Sequence, residues 1–331
     1  MGKTLFRKRK KRRQTLLALL ACLLTIALAI ALVVWTIHTN LPHDSSSTQE
    51  AGDDAPTTTI QRRELPKAFI DRNTYSPYVV LYDATAKEVL YSKNADQLCY
   101  PASLTKLMTS LIAVETADAD AIITVGNEVN MIAAGSSRAY LTAGSKLTLT
   151  QLLQAMLLPS GNDAAYVTAV YIGRILADNP TLDQRAAVNR FCEEMNKKAK
   201  ELGCSSTHFV NPDGWHEVDH YTTASDMLKI AEAAIDNETI RGIVSTPQTT
   251  VTFLSGQSAT WQNSNKLLAP NSAYTYEGAF GLKTGTTDEA GKCLAACATR
   301  DGRTSIVIVM GAESENGRWD DSRGLLDLSF Q

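Results

Sequence analysis

The chain has 331 residues, 44% of them hydrophobic, which is enough for one large domain or two ordinary ones. Its formal charge is −3, but eight cations (Lys3 and the run Arg7–Arg13) stand together near the N-terminus, leaving 24 basic residues against 35 acidic ones in the remainder. An acidic body of this kind excludes nucleic acid as the partner.

In chain order, residues 1–14 form a basic segment. The stretch 15–37 follows, and from Leu16 to Ile37 it carries no charge. Twenty-two helical residues span about 33 Å, enough for a bilayer core. Trp35 sits near the far end, where interfacial aromatics belong. Cations before an apolar run keep the N-terminus cytoplasmic and send the rest outside. The expectation is therefore a single-pass signal anchor. Secretion after signal-peptide cleavage is the alternative, because Ala27-Leu28-Ala29 resembles a cleavage site. A cut there leaves an apolar tail through Ile37, and the run exceeds an ordinary signal core. Residues 38–65, rich in Ser, Thr, Asp, Gln and Pro, read as a flexible stalk. The folded body is placed at 66–331.

Within the body, Tyr78–Tyr82 and Glu88–Ser92 alternate like the arms of a hairpin. A helix begins at Ser103. Thr148 and Gln151 make a capping box for a helix over Leu149–Leu158, stopped by Pro159. The short loop Ser160-Gly161-Asn162-Asp163 leads into a helix over Ala164–Ala177. An amphipathic helix covers 182–202, and Thr223 caps another. Strands are read at Thr249–Leu254, Ala279–Thr284, Lys292–Thr299 and Thr304–Met310, the last two joined through Asp301-Gly302, a strong hairpin turn. A helix over Asp320–Phe330 ends the chain. Strands at both ends with helices between them predict a mixed α/β fold, an antiparallel sheet built from both termini plus a helical subdomain. Cys293 and Cys297 fall on one face of a strand about 13 Å apart, too far to bridge. Free buried thiols are expected at all five cysteines of the body.

Three short motifs carry the chemistry: Ser103-Leu-Thr-Lys106, Ser160-Gly-Asn162 and Lys283-Thr-Gly285. At i,i+3 on a helix the Ser103 hydroxyl and the Lys106 amine share a face, a nucleophile beside a base. Each motif is cheap by chance. Their order and local contexts together match the set shared by penicillin-binding proteins and class A β-lactamases. The chain resembles the serine D-alanyl-D-alanine carboxypeptidases, low-molecular-mass penicillin-binding proteins of peptidase family S11. The likeness runs over about 66–331 and includes Phe209-Val-Asn-Pro-Asp-Gly214, His220–Asp226 and Glu277–Gly285.

The resemblance implies a β-lactamase/DD-peptidase-like fold and an acyl-enzyme on Ser103. Lys106 would take the serine proton, Ser160 would relay one to the leaving amine, and Asn162 would hold the substrate amide and Lys106. Lys283 and Thr284 would bind the terminal carboxylate, helped by Arg318, for which an ordinary surface role is the alternative. The backbone N–H groups of Ser103 and Thr286 would form the oxyanion hole, and Gly285 would let the strand approach the substrate. The implied partners are peptidoglycan stem peptides, β-lactams as covalent inhibitors, and the membrane through the N-terminal helix. No cofactor and no metal are required.

His216-Glu-Val-Asp-His220 matches a zinc-peptidase motif, but that motif needs a helix and none is read here. Fast β-lactam turnover needs a glutamate that activates water. The nearest string, Cys192-Glu-Glu-Met-Asn196, has cysteine in its place. A class A-like β-lactamase and a sensor without efficient turnover stand as the alternatives to the carboxypeptidase. The chain ends about twenty residues past its last predicted strand, so the β-rich domain and terminal amphipathic helix of many family members are not expected.

Overall fold

The structure is a computed structural model that describes residues 74–331. The predicted basic segment, membrane segment and stalk lie outside the described residues. Among the described residues no helix is long and apolar enough to cross a membrane.

The elements run β1 (Tyr78–Asp83), β2 (Glu88–Lys93), α1 (Thr105–Thr116), β3 (Ile122–Thr124), β4 (Lys146–Thr148), α2 (Leu149–Leu157) and α3 (Asn162–Leu176). They continue with α4 (Gln184–Glu201), α5 (Ala224–Asp236), α6 (Glu238–Val244), β5 (Gln248–Thr252) and β6 (Ser258–Gln262). The last four are β7 (Ala279–Thr287), β8 (Gly291–Arg300), β9 (Arg303–Ala312) and α7 (Glu315–Ser329). The main sheet has the order β2-β1-β9-β8-β7, antiparallel throughout. Strands from both ends of the body thus make one sheet, with helices α1–α6 inserted between β2 and β7 and α7 following β9, as the sequence predicts.

The central strands read as nearly continuous apolar runs because both sheet faces are covered. Alternate residues divide cleanly. Val80, Tyr82, Ala295, Cys297, Ile306 and Ile308 join the large core shared with the inserted helices. Val79, Leu81, Leu294, Ala296, Val307 and Val309 face a smaller core closed by Trp319, Leu325 and Leu326 of α7. The β8–β9 hairpin turns through Asp301 (φ 49°) and Gly302 (φ 75°), both in the left-handed region its tight turn needs.

Most differences from the sequence reading are at boundaries. The capping box at Thr148 and Gln151 is present, and α2 stops one residue earlier than expected. Helix α3 begins at Asn162 rather than Ala164, so the loop before it is shorter. Helix α7 begins at Glu315, five residues before the expected start, because Ser314 caps it by accepting from the Gly317 N–H at 3.0 Å. Asn316 and Gly317 are weak helix formers and hid that turn. The short β3–β4 pair, α6 and β6 were not read from the sequence. The five cysteines of the described residues are free and buried, as expected.

Candidate active site

Ser103 sits in a 3₁₀ turn, Ala102–Leu104, that feeds directly into α1. Helix α1 is buried nearly all round, through Leu107, Met108, Leu111 and Ile112 and also through polar residues. Its buried hydroxyls find backbone partners: Thr109 donates to the Pro212 carbonyl at 2.7 Å and Ser110 to that of Leu107 at 2.8 Å.

Lys106 is wholly buried (0% exposed). Its Nζ has three neighbours: Ser103 Oγ at 2.9 Å, Asn162 Oδ1 at 2.8 Å and the Asp213 carbonyl oxygen at 2.7 Å. Burial pulls its pKa down from 10.5 to about 8, against the opposing fields of Asp213 and Asp163. A neutral amine has two protons and one lone pair. Asn162 Oδ1 and the Asp213 carbonyl can only accept, so they claim the two protons. The lone pair is left for the Ser103 hydroxyl, which is the arrangement a general base requires.

Asn162 gets its place from being the first residue of α3. Its N–H donates to the Ser137 carbonyl at 2.9 Å, and Ser137 Oγ in turn donates to the Ser160 carbonyl at 2.6 Å. Ser160 is buried and holds a left-handed φ of 63°. Among the described residues its hydroxyl has no hydrogen-bond partner, so it is free to meet a ligand.

The third motif lies on β7, the edge strand of the main sheet. Lys283 is 1% exposed, and its Nζ donates to the Thr284 carbonyl at 2.9 Å. Burial holds its pKa well below the ordinary value, and the nearby cations Lys106 and Arg318 push the same way. The Thr284 hydroxyl pairs with Ser264 Oγ at 2.7 Å. Gly285 makes a close approach within the protein itself. A Cβ there would stand 3.1 Å from Ala102 Cβ, the Pro101 carbonyl and the Ser103 nitrogen. Its missing side chain lets β7 close against the backbone that carries the nucleophile. Thr286, the next residue, is thereby brought beside the same segment.

Arg318 is not a surface residue, being 5% exposed. Nη1 donates to the Gly285 carbonyl at 3.1 Å, the Cys293 carbonyl at 3.3 Å and Thr286 Oγ1 at 3.4 Å, while Nη2 meets Glu315 Oε2 at 2.7 Å. The guanidinium therefore braces the third motif through backbone and hydroxyl contacts. All nine residues proposed from sequence are drawn together around Ser103 and β7.

Sequence reasoning missed the backbone partners. The Asp213 carbonyl, which receives Lys106 and lies 3.4 Å from Ser103 Oγ, belongs to a segment flagged only by family likeness. Gly214 makes that approach possible: at its φ of 82° a Cβ would collide with the Ala102 carbonyl. Ser264 and Glu315 carry no motif at all.

The His216–His220 segment is a loop. His220 is buried, with Nδ1 accepting from the Val210 N–H at 3.1 Å and Nε2 2.8 Å from Thr105 Oγ1. Since Nδ1 accepts, the proton lies on Nε2, and both ring nitrogens are engaged beneath the nucleophile turn. Burial above all, with the neighbouring basic groups adding to it, lowers its pKa from 6.5 to about 3, so the ring is neutral. Cys192, in the position where a water-activating glutamate was sought, is buried inside α4, and burial pushes its thiol up to about 12.

A model of the peptidase S11 family, D-alanyl-D-alanine carboxypeptidase, matches residues 70–314. D-alanyl-D-alanine carboxypeptidase DacF of Bacillus subtilis (strain 168) is 32% identical over 76% of this chain and 61% of its own length. The D-alanyl-D-alanine carboxypeptidase of Streptomyces sp. (strain K15) is 35% identical over 73% of this chain and 82% of its own. The solved Streptomyces K15 DD-transpeptidase superposes with a TM-score of 0.72 at 33% identity, covering 78% of this chain and 98% of that one. The chain thus spans about three fifths of the Bacillus relative and most of the Streptomyces one.

Proposed function

The chain belongs to the D-alanyl-D-alanine carboxypeptidase family of serine peptidases, S11, and from that premise we propose that it removes the terminal D-alanine from peptidoglycan pentapeptide stems through an acyl-enzyme on Ser103. The observation that carries this reading is the arrangement at Lys106: a buried amine with a lowered pKa, 2.9 Å from the Ser103 hydroxyl, with two obligate acceptors for the protons of its neutral form.

The terminal carboxylate of the stem docks against Lys283 and the Thr284 hydroxyl. Its negative charge offsets the burial that disfavours the Lys283 cation, so binding and protonation reinforce each other. Arg318 holds Gly285 and Thr286 from behind. Lys106 accepts the Ser103 proton as Oγ attacks the carbonyl carbon between the two D-alanines. The oxyanion meets the backbone N–H groups of Ser103 and Thr286. As the C–N bond breaks, the Ser160 hydroxyl passes a proton to the departing amine of D-alanine and takes in its place the one that Lys106 accepted from Ser103, so both residues return to their starting states. Water then cleaves the ester. A β-lactam carbonyl enters the same attack, but its amine stays tethered to the acyl group, so the adduct leaves slowly without a dedicated water-activating glutamate.

The same proposal places residues 1–14 in the cytoplasm, 15–37 across the membrane, 38–65 as the stalk and 66–331 as the catalytic domain outside, where peptidoglycan is. What supports it is the sequence of charges and apolar residues. The activity is tested by mass spectrometry of D-alanine release from a soluble pentapeptide. Wild type releases it, with or without a metal chelator; Ser103→Ala does not. Release by Ser103→Ala, or loss of release with chelator alone, contradicts the reading.

A further inference from the structure

Beside the second motif the chain presents an exposed aromatic ring on an anchored backbone. The backbone of residues 137–141 is tied down at several points. The buried carboxylate of Asp163 accepts from the Ala139 N–H at 2.8 Å and the Leu141 N–H at 3.0 Å. The Ala139 carbonyl accepts from Trp261 Nε1 at 3.1 Å. Between these anchored neighbours Tyr140 is forced to a φ of 61°, the left-handed region that side chains normally avoid, and its residue is 82% exposed. A single exposed aromatic means little. One held rigidly outward on a strained backbone is a different observation, because such strain persists where the surroundings over-determine it and clusters at functional sites.

Tyr140 borders a cleft of about 460 Å³ whose other wall is strand β6 of the β5–β6 hairpin, with Ser258, Thr260 and Gln262 on it. The cleft floor is Phe253 and Trp261, stacked at 5.9 Å. The outward face of the hairpin pairs Gln248 with Gln262, Thr250 with Thr260 and Thr252 with Ser258. All six are exposed, and none is charged. The hydroxyl pairs meet at 2.8 and 3.0 Å. Arg138, also on the cleft, makes no hydrogen bond or ion pair among the described residues.

These groups define a ligand. Hydroxyls and amides both donate and accept, as sugar hydroxyls do. The outward tyrosine ring offers an apolar face for the C–H side of a pyranose. The guanidinium of Arg138 supplies donors for acetamido and hydroxyl oxygens. Apart from Arg138 nothing here demands a charged partner. The cleft also adjoins the catalytic centre, since Pro159 lines it and Ser137 ties its loop to Ser160 and Asn162. We propose that the cleft between Tyr140 and the β5–β6 hairpin binds a neutral amino-sugar polymer, the glycan strand to which the stem peptide is attached. This rests on the stem-peptide reading and adds that the protein grips its substrate by sugar as well as by peptide.

The test compares two substrates with the full chain. Tyr140→Asn, which tolerates the left-handed backbone, and Thr260→Glu, which puts charge on the cleft wall, are assayed on intact pentapeptide-bearing peptidoglycan and on the soluble pentapeptide. Each variant should lose about tenfold in kcat/KM on the polymer, the size of one lost anchor contact, and stay within about twofold of wild type on the soluble peptide. Peptide-free glycan strands should compete with the polymer and not with the soluble peptide. Equal losses on both substrates, or no loss on the polymer, overturn the proposal. So does competition by cross-linked stem peptides where bare glycan fails, which would make the cleft a peptide groove. If wild type releases no D-alanine from either substrate, the activity reading fails instead, and saturation-transfer NMR with bare glycan still reads the cleft: transfer that Tyr140→Asn abolishes supports it, and no transfer to wild type overturns it.

Discussion

Lys106 and Lys283 are both wholly buried and both held below their ordinary pKa, yet their surroundings differ in kind. Lys106 has two carboxylates, Asp213 and Asp163, whose fields partly offset burial, and its amine is fixed by three oxygen neighbours. Lys283 has cations as its electrostatic company, Lys106 and Arg318, and they add to burial. The first environment fixes the direction of a lone pair at a pKa near working pH. The second leaves a cation unfavourable until an anion arrives. One lysine is built to move a proton and the other to wait for a carboxylate.

If that contrast is right, the two halves of the site should fail differently. The largest effect is expected for Lys106→Ala, a loss of about 10³–10⁴ in acylation rate with binding largely kept, measured by stopped-flow with a chromogenic β-lactam. Wild-type acylation should fall as pH drops below about 8, where Lys106 becomes protonated and cannot accept the serine proton. Lys283→Met should instead weaken kcat/KM by about 10², chiefly through KM, and a substrate amidated at its terminus should hide most of that loss. An equal loss on the amidated substrate would erase the distinction between the lysines. Arg318→Lys should cost about tenfold, since one ammonium cannot reach Gly285, Cys293 and Glu315 together. The smallest effect is on stability. Between about 8 and 10.5 the unfolded chain keeps a proton that folded Lys106 has shed. Stability should therefore rise with pH across that window, by at most about 1.4 kcal/mol per pH unit. Chemical denaturation of Lys106→Met should show a flatter slope.

The sequence made the sheet legible where side chains alternate under two covers and where Asp301-Gly302 sets a tight turn. It made the nucleophile and base legible because Ser103 and Lys106 are joined by helix geometry alone. It was silent where backbone atoms do the work. The Asp213 carbonyl reaches Lys106 only because Gly214 packs on the Ala102 carbonyl, and no side-chain pattern announces that. For Arg318 the sequence left a carboxylate-binding role and a surface role both open, because the first turn of α7 is made of weak helix formers and the burial of its guanidinium behind β7 depends on strand pairing far along the chain. The glycine of the third motif is expected to give substrate room; that it also lets β7 close on the atoms around Ser103 is something only the folded chain shows.

The measurement that bears most directly on the central claim is the intact mass of the full chain after brief exposure to penicillin, followed by peptide mapping. A gain of one penicillin, located on Ser103, persistent over minutes and absent from Ser103→Ala, is the predicted result. Unmodified protein with hydrolysed penicillin accumulating in solution, or a label on any other residue, would contradict it.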